Sequence, residues 1–133
     1  MKEALTKALA KAIFQAYPSI PIYEKWQETA VKKPCFFLIC QKAEEKPLLG
    51  RRVMVRFSFR VSCYSEKGLE EITEEGLRGA LAEVQMDGVP VRPMDVKSWI
   101  EEWVLHWEGT FSLIGWREEE ASDWMEELEW KER

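Results

Sequence analysis

The sequence predicts an α+β fold: an antiparallel or mixed sheet of four to five strands packed against two helices. Three observations point there. Between Arg51 and Tyr64, the residues Val53, Val55, Phe57, Phe59, Val61 and Cys63 alternate with Met54, Arg56, Ser58, Arg60 and Ser62. A period of two marks a strand with one face in a core and one face polar. Residues 2 to 17 place Leu5, Ala8, Leu9, Ala12, Ile13 and Ala16 on one stripe at helical spacing, the pattern of an amphipathic helix. A second alternation, Trp103, Leu105, Trp107, Gly109, Phe111 and Leu113 against Glu102, His106, Glu108, Thr110 and Ser112, adds another long strand. The stretch from Arg51 to Tyr64 is about twice the usual strand length of five or six residues, so it is placed at the centre of the sheet.

The elements follow in order. The first helix ends at Tyr17-Pro18, because a residue before proline is pushed out of helical geometry. Ile20 to Trp26 reads as a first strand and Gln27 to Lys33 as a polar loop. Pro34 opens a second strand, Cys35 to Gln41, with Phe36, Phe37, Leu38 and Ile39 apolar on both faces. Such a strand is covered on both sides, by helix on one and by a partner or a further layer on the other. Ala43 to Gly50 reads as a hairpin connection with Pro47 and Gly50. After a break at Ser65 to Gly68, Leu69 to Val84 carries the stripe of a second helix (Leu69, Ile72, Leu77, Ala80, Leu81, Val84), with Gly76 as a point of close approach and Glu70, Glu71, Glu74 and Glu75 suiting the helix dipole. Asp87-Gly88 is a turn signal. Val89, Val91 and Met94 to Ile100 form a strand interrupted by Pro90 and Pro93, as at a sheet edge or a bulge.

From Ser98 to Glu108 two patterns compete. Trp99, Trp103 and Trp107 fall at helical spacing, with Ser98 to Glu101 as a capping box and Gly109 as a C-terminal glycine. The alternation nevertheless continues beyond Gly109 to Leu113, which a helix ending there does not explain. The strand, residues 103 to 117 with a turn near Glu101-Glu102, is therefore preferred. Residues 121 to 132 fit either a short helix anchored by Trp124 and Leu128 or an extended acidic tail.

Composition narrows the function. The length and apolar content predict one domain over residues 1–133 with a single core. Residues 118–133 hold eight acids and two bases, a net −6 against −5 for the whole chain, so the remainder is +1. An acidic segment opposes general affinity for phosphates or for an anionic membrane surface. No run of about 18 apolar residues is present. Three cysteines, Cys35, Cys40 and Cys63, with no signal sequence point to free thiols in a reducing compartment. Seven tryptophans exceed what so small a core hides. They lie either at a subunit interface or half-buried on the sheet with the N–H at the surface.

No constellation for chemistry emerges. One histidine and three cysteines do not converge as metal ligands. Cys35 and Cys40 are read as lying on opposite faces of a strand, and His106 as a surface histidine beside Glu108. No nucleophile elbow, phosphate-binding glycine loop or dinucleotide turn occurs, and no cofactor is predicted. Arg56 and Arg60 share one strand face. They either bind an anion or pair with glutamates across strands or subunits. Arg56, Arg60, Trp103, Trp107 and Trp124 are the candidate protein-interface residues.

The order of short motifs resembles the phage tail terminator family found in prophages of Gram-positive bacteria. Lys33-Pro34-Cys35-Phe36-Phe37-Leu38-Ile39 follows an N-terminal helix and the Ile22-Tyr23 strand. Leu49-Gly50-Arg51-Arg52 precedes the alternating strand, which ends at Cys63-Tyr64. A helix comes next, then Val104-Leu105-His106-Trp107, and the chain closes with Met125-Glu126-Glu127-Leu128. The sequence departs from the pattern in its tryptophan-rich Ser98 to Trp107 and its acidic end. The resemblance implies a non-enzymatic virion subunit, a homo-oligomer of hexameric ring form. It caps the tail tube, stops its polymerisation and meets the tail-tube protein and the head-tail connector. It resides in the virion tail or neck, and in the host cytoplasm during assembly. Two other classes stay open from the sequence: a head-closure or neck protein of the same virion, and a small cytoplasmic ligand-binding or enzymatic α+β domain.

Overall fold

The computed structural model describes residues 2–24, 34–65 and 72–116. Helix α1 spans Lys2–Ala16, and its predicted stripe buries Leu5, Ala8, Leu9 and Ile13. Strands β1 (Ile22–Tyr23), β2 (Cys35–Pro47) and β3 (Arg52–Tyr64) follow, then helix α2 (Glu74–Ala80) and strands β4 (Val84–Met86), β5 (Val89–Val91), β6 (Met94–Glu101) and β7 (Val104–Trp116). The main sheet has the order β1-β2-β3-β7-β6, and β4-β5 is a separate hairpin. The strand from Arg52 is thus the centre of the sheet. It pairs antiparallel with β2 on one side and β7 on the other, without a break from Arg52↔Trp116 to Tyr64↔Val104. β1 runs parallel to β2, so the sheet is mixed and the fold is α+β.

The alternation places side chains as expected. Val53, Val55, Phe57, Phe59, Val61 and Cys63 are all buried, in one cluster with α1, α2, the β4-β5 hairpin and the inward side chains of β7. Full burial of a Phe, Leu or Ile contributes roughly 1.5–3 kcal/mol each, so this face holds the layers together.

The strand reading of residues 98–108 is the one realised, which dissolves the helical spacing of the three tryptophans. β6 and β7 join through a two-residue turn, Glu102 (φ 52) and Trp103 (φ 71). Both residues are left-handed, as the turn that matches strand twist requires. Trp103 therefore sits in the turn rather than in the strand. Trp107 is fully buried in the core, with its ring centroid 6.5 Å from that of Phe111. Its indole lies over Gly109, where an added Cβ would meet Trp107 Cη2 at 2.5 Å. The glycine of the expected helix end is thus a strand residue whose missing side chain makes room for an indole.

Other expectations are corrected. β1 is two residues rather than Ile20 to Trp26. Ile20 is buried within a turn, donating to the Tyr17 carbonyl at 3.2 Å, while Trp26 and the loop expected over Gln27 to Lys33 lie outside the described residues. β2 extends to Pro47, through the predicted connection at Ala43 to Gly50. A bulge between Cys40 and Lys42 resets the register, after which Ala43, Glu45 and Pro47 oppose Phe57, Val55 and Val53. Both faces are exposed there, so the sequence is charged and hides a strand. The apolar residues at its start divide between the two faces. Phe36 and Leu38 enter the core, while Phe37, on the other face, is covered by Tyr23 and Tyr64, with ring centroids at 5.5 and 5.4 Å.

The second helix is shorter than Leu69 to Val84. Thr73 caps it, its Oγ1 accepting from Gly76 N–H at 2.9 Å, and it ends at Ala80 with Leu81 as the cap. Leu81 and Val84 are both buried, so the apolar spacing was real. The backbone changes state between them, because Val84 pairs with Val91 across the Asp87-Gly88 turn. Leu69 to Glu71 lie outside the described residues. Gly76 is the expected point of close approach, since a Cβ there would stand 2.8 Å from the Tyr17 hydroxyl. Ser98, the candidate cap, is instead a strand residue. Its hydroxyl donates to Glu74 and accepts from Arg78 Nε, each at 2.9 Å, and fastens α2 to β6.

Candidate functional site

The helices cover one face of the sheet; the polar face of β3 and β7 is the other, outer face. Register alone sets its composition. Arg60 opposes Glu108, Ser62 opposes His106 and Ser58 opposes Thr110, giving cross-strand polar pairs down the middle of the sheet.

The best-developed group centres on Glu108. Arg60 Nε donates to its carboxylate at 2.8 Å and a second guanidinium nitrogen joins the same oxygen. Lys97 from β6 stands 3.5 Å from the other oxygen. With its amide nitrogen turned toward the carboxylate, Gln41 at the β2 bulge donates to Glu108 at 3.2 Å and accepts from Arg60 Nε at 3.3 Å. Partial burial pushes the Glu108 carboxyl up, but the Arg60 hydrogen bond and charge, with Lys97, bring it below its ordinary range. Trp99 lies beneath both cations, with Arg60 5.4 Å and Lys97 5.9 Å from its ring centroid. Cation–π contact of this kind adds to the charge pairing.

Trp99 also stacks on His106, with centroids 5.1 Å apart, and Ser62 Oγ is bonded to His106 Nδ1 at 2.8 Å. His106 is therefore half-buried in a network rather than a plain surface histidine. Burial lowers its pKa, and Arg60 lowers it further against the opposing pull of Glu101 and Glu108. The Ser62–His106 pair is not arranged as nucleophile and base. Ser62 is buried within a strand, and among the described residues no carboxylate is hydrogen-bonded to His106 to orient it. No three His, Cys, Asp or Glu side chains among the described residues group as metal ligands. The Cys63 thiol is pushed up to about 12, by burial and then by Cys35, which makes it an inert core residue.

The five predicted interface residues separate. Arg60 belongs to the internal network just described. Arg56, facing Glu44 and Ser112 in register, is exposed and forms no ion pair among the described residues. Trp107 is corrected outright: an indole with no exposed surface is unavailable to a partner. Trp103 is 73% exposed at the hairpin tip, beside Ile100 at 54%. Trp124 lies outside the described residues. Residue reading missed Trp99, Ser62 and Gln41, because β3 and β7 are far apart in the chain and only their register assembles the group.

The outer face is thus a cross-braced polar surface, with Trp103 exposed at the hairpin tip and Trp116 exposed at the opposite end. No curated protein sequence matches the chain. The phage tail terminator protein family matches it over residues 4–123, nearly the whole length, and this chain is accordingly a member of the phage tail terminator family, a family of structural tail proteins.

Proposed function

We infer that this chain is the subunit of a ring, a hexamer as the resemblance implies. The ring sits on the end of the finished tail tube, stops its polymerisation and joins the tail to the head connector. Each subunit acts as one domain in the tail or neck of the virion, having assembled in the host cytoplasm from a prophage-encoded chain. Family membership supplies the tail role. The observation that carries the assembly is Trp103. A bulky residue in left-handed backbone (φ 71) is strained by roughly 1–2 kcal/mol relative to glycine, and here the strained residue holds a large apolar side chain 73% in solvent. Strain retained for an exposed indole points to a use outside the subunit, and tryptophan is the residue most enriched at binding hot spots. Copies that each insert such a tip into a different patch on the next make heterologous contacts, which close into a ring when the rotation closes.

Native mass spectrometry and light scattering, on the chain alone and with tail-tube protein, test this. The expected species is a closed oligomer that binds tube ends. A chain that stays monomeric in both settings and never associates with tube ends overturns the reading. Binding to the connector without binding to tubes would instead assign it to the neck.

A further inference from the structure

The end of the outer face away from the Glu108 network carries charge that the subunit core leaves unbalanced. Lys42, Lys46, Arg52 and Arg56 are all exposed there. Their register partners place them on one face, with Arg52 opposite Trp116 and Arg56 between Glu44 and Ser112. Glu44 is the carboxylate among them, and Lys42 holds it at 3.1 Å. Apolar surface lies alongside, with Ile114 50% and Trp116 60% exposed. A depression of about 330 Å³ opens between Glu44, Glu45, Lys46, Met54 and Arg56.

The chain itself contains the complement. Residues 118–133 hold eight acids against two bases, together with Trp124, Leu128 and Trp130. The described residues end at Trp116, directly opposite Arg52, so that segment follows from this same end of the sheet. Seventeen residues follow Trp116. Arg52 and Arg56 are about 13 Å apart along the strand at the usual rise per residue, well inside the reach of such a segment.

We propose that this basic, partly apolar end of the outer face is the docking site for the chain's own acidic segment, residues 118–133, bound within the same molecule. A short tether gives the segment an effective concentration of order millimolar, which a second copy at micromolar concentration does not match. The contact is held mainly by exposed charges, so salt weakens it. It does not depend on ring formation and is read on the monomer.

The test is the rate of lysine acetylation, resolved site by site by mass spectrometry, in the full chain at low salt and low micromolar concentration. Lys7 and Lys11 on α1 serve as internal references. In the full-length variant with Glu118, Glu119, Glu120, Glu126 and Glu127 all changed to Gln, Lys42 and Lys46 should react several-fold faster relative to the references. High salt should do the same to the parent chain, with circular dichroism unchanged. Equal rates in parent and variant, with no salt effect, overturn the proposal. So does protection that disappears on tenfold dilution, because the occupant would then be a second copy.

Discussion

Replacing Trp103 with glycine separates folding from assembly. The magnitude on folding follows from three contributions. Removing a side chain from left-handed backbone relieves roughly 1–2 kcal/mol. Glycine returns roughly 0.5–1 kcal/mol of unfolded-state entropy. The indole is 73% exposed. About a quarter of its roughly 250 Å² is therefore covered, and at about 25 cal/mol per Å² its loss costs about 1.5 kcal/mol. The sum runs from about zero to about 1.5 kcal/mol of destabilisation, so urea denaturation followed by circular dichroism should place Trp103→Gly within about 1.5 kcal/mol of the parent. A hot-spot tryptophan, by contrast, is worth about 2 kcal/mol or more at an interface, which is about thirty-fold in subunit affinity. Sedimentation across a concentration series should show the oligomer dissociating at correspondingly higher concentration. An unchanged assembly isotherm with unchanged stability would remove Trp103 from the interface. A loss of several kcal/mol in folding would mean that the tip is a packing element.

Gly109→Ala should destabilise by about 1–3 kcal/mol in chemical denaturation, as over-packing does, because the new Cβ would meet Trp107 Cη2 at 2.5 Å; adding Trp107→Phe should recover part of that loss, and additive effects would refute the contact. Phe59→Ala, at 1% exposure, should cost about 3–5 kcal/mol, whereas Arg56→Ala should stay within about 0.5 kcal/mol on folding, as exposed substitutions do. Folding stability should fall as pH drops from above 6.5, because a histidine held below its ordinary pKa is protonated more readily in the unfolded chain. His106 is the single histidine, so His106→Gln should flatten melting temperature between pH 7.5 and 5.5. Glu108, also depressed, contributes stability that is complete above its unfolded value near 4.5 and is lost as pH falls through its lower folded pKa; Glu108→Gln should remove that acid limb.

Most of the fold was legible wherever one face of an element was buried and the other was not. The stripe of α1 and the alternations of β3 and β7 record a single interface each, and the structure places their apolar residues as expected. Legibility failed where burial did not change while the backbone did. Leu81 and Val84 are both in the core, so their spacing continued a helical pattern past the true helix end at Ala80. It failed again where no face was buried. Residues 43–47 of β2 are exposed on both sides, and the charges that solvate them look like a loop. The Glu108 group was half visible: Arg60 and a glutamate partner follow from the polar face of a strand, but Trp99 and Ser62 join only through a register set by strands distant in sequence.

The tryptophans at 99, 103 and 107 show why spacing alone misleads about function. Four residues apart, they suggest one helical face and one shared role. The turn at Glu102 and Trp103 folds the segment back on itself, so the three indoles face different surroundings. Trp99 lies on the outer face beneath Arg60 and Lys97, Trp103 projects from the tip, and Trp107 fills the core over Gly109. The buried ring anchors β7, and the half-buried ring ties β6 to the Glu108 network. The hairpin that carries the exposed ring is thus fixed at both levels. A contact residue on a braced hairpin loses little freedom on binding, which is where affinity at small interfaces comes from. Under the proposed ring contact through Trp103, the core tryptophan would support assembly indirectly. Trp107→Leu should loosen the hairpin and weaken oligomerisation beyond its effect on folding, and assembly that tracks folding stability alone would refute the coupling.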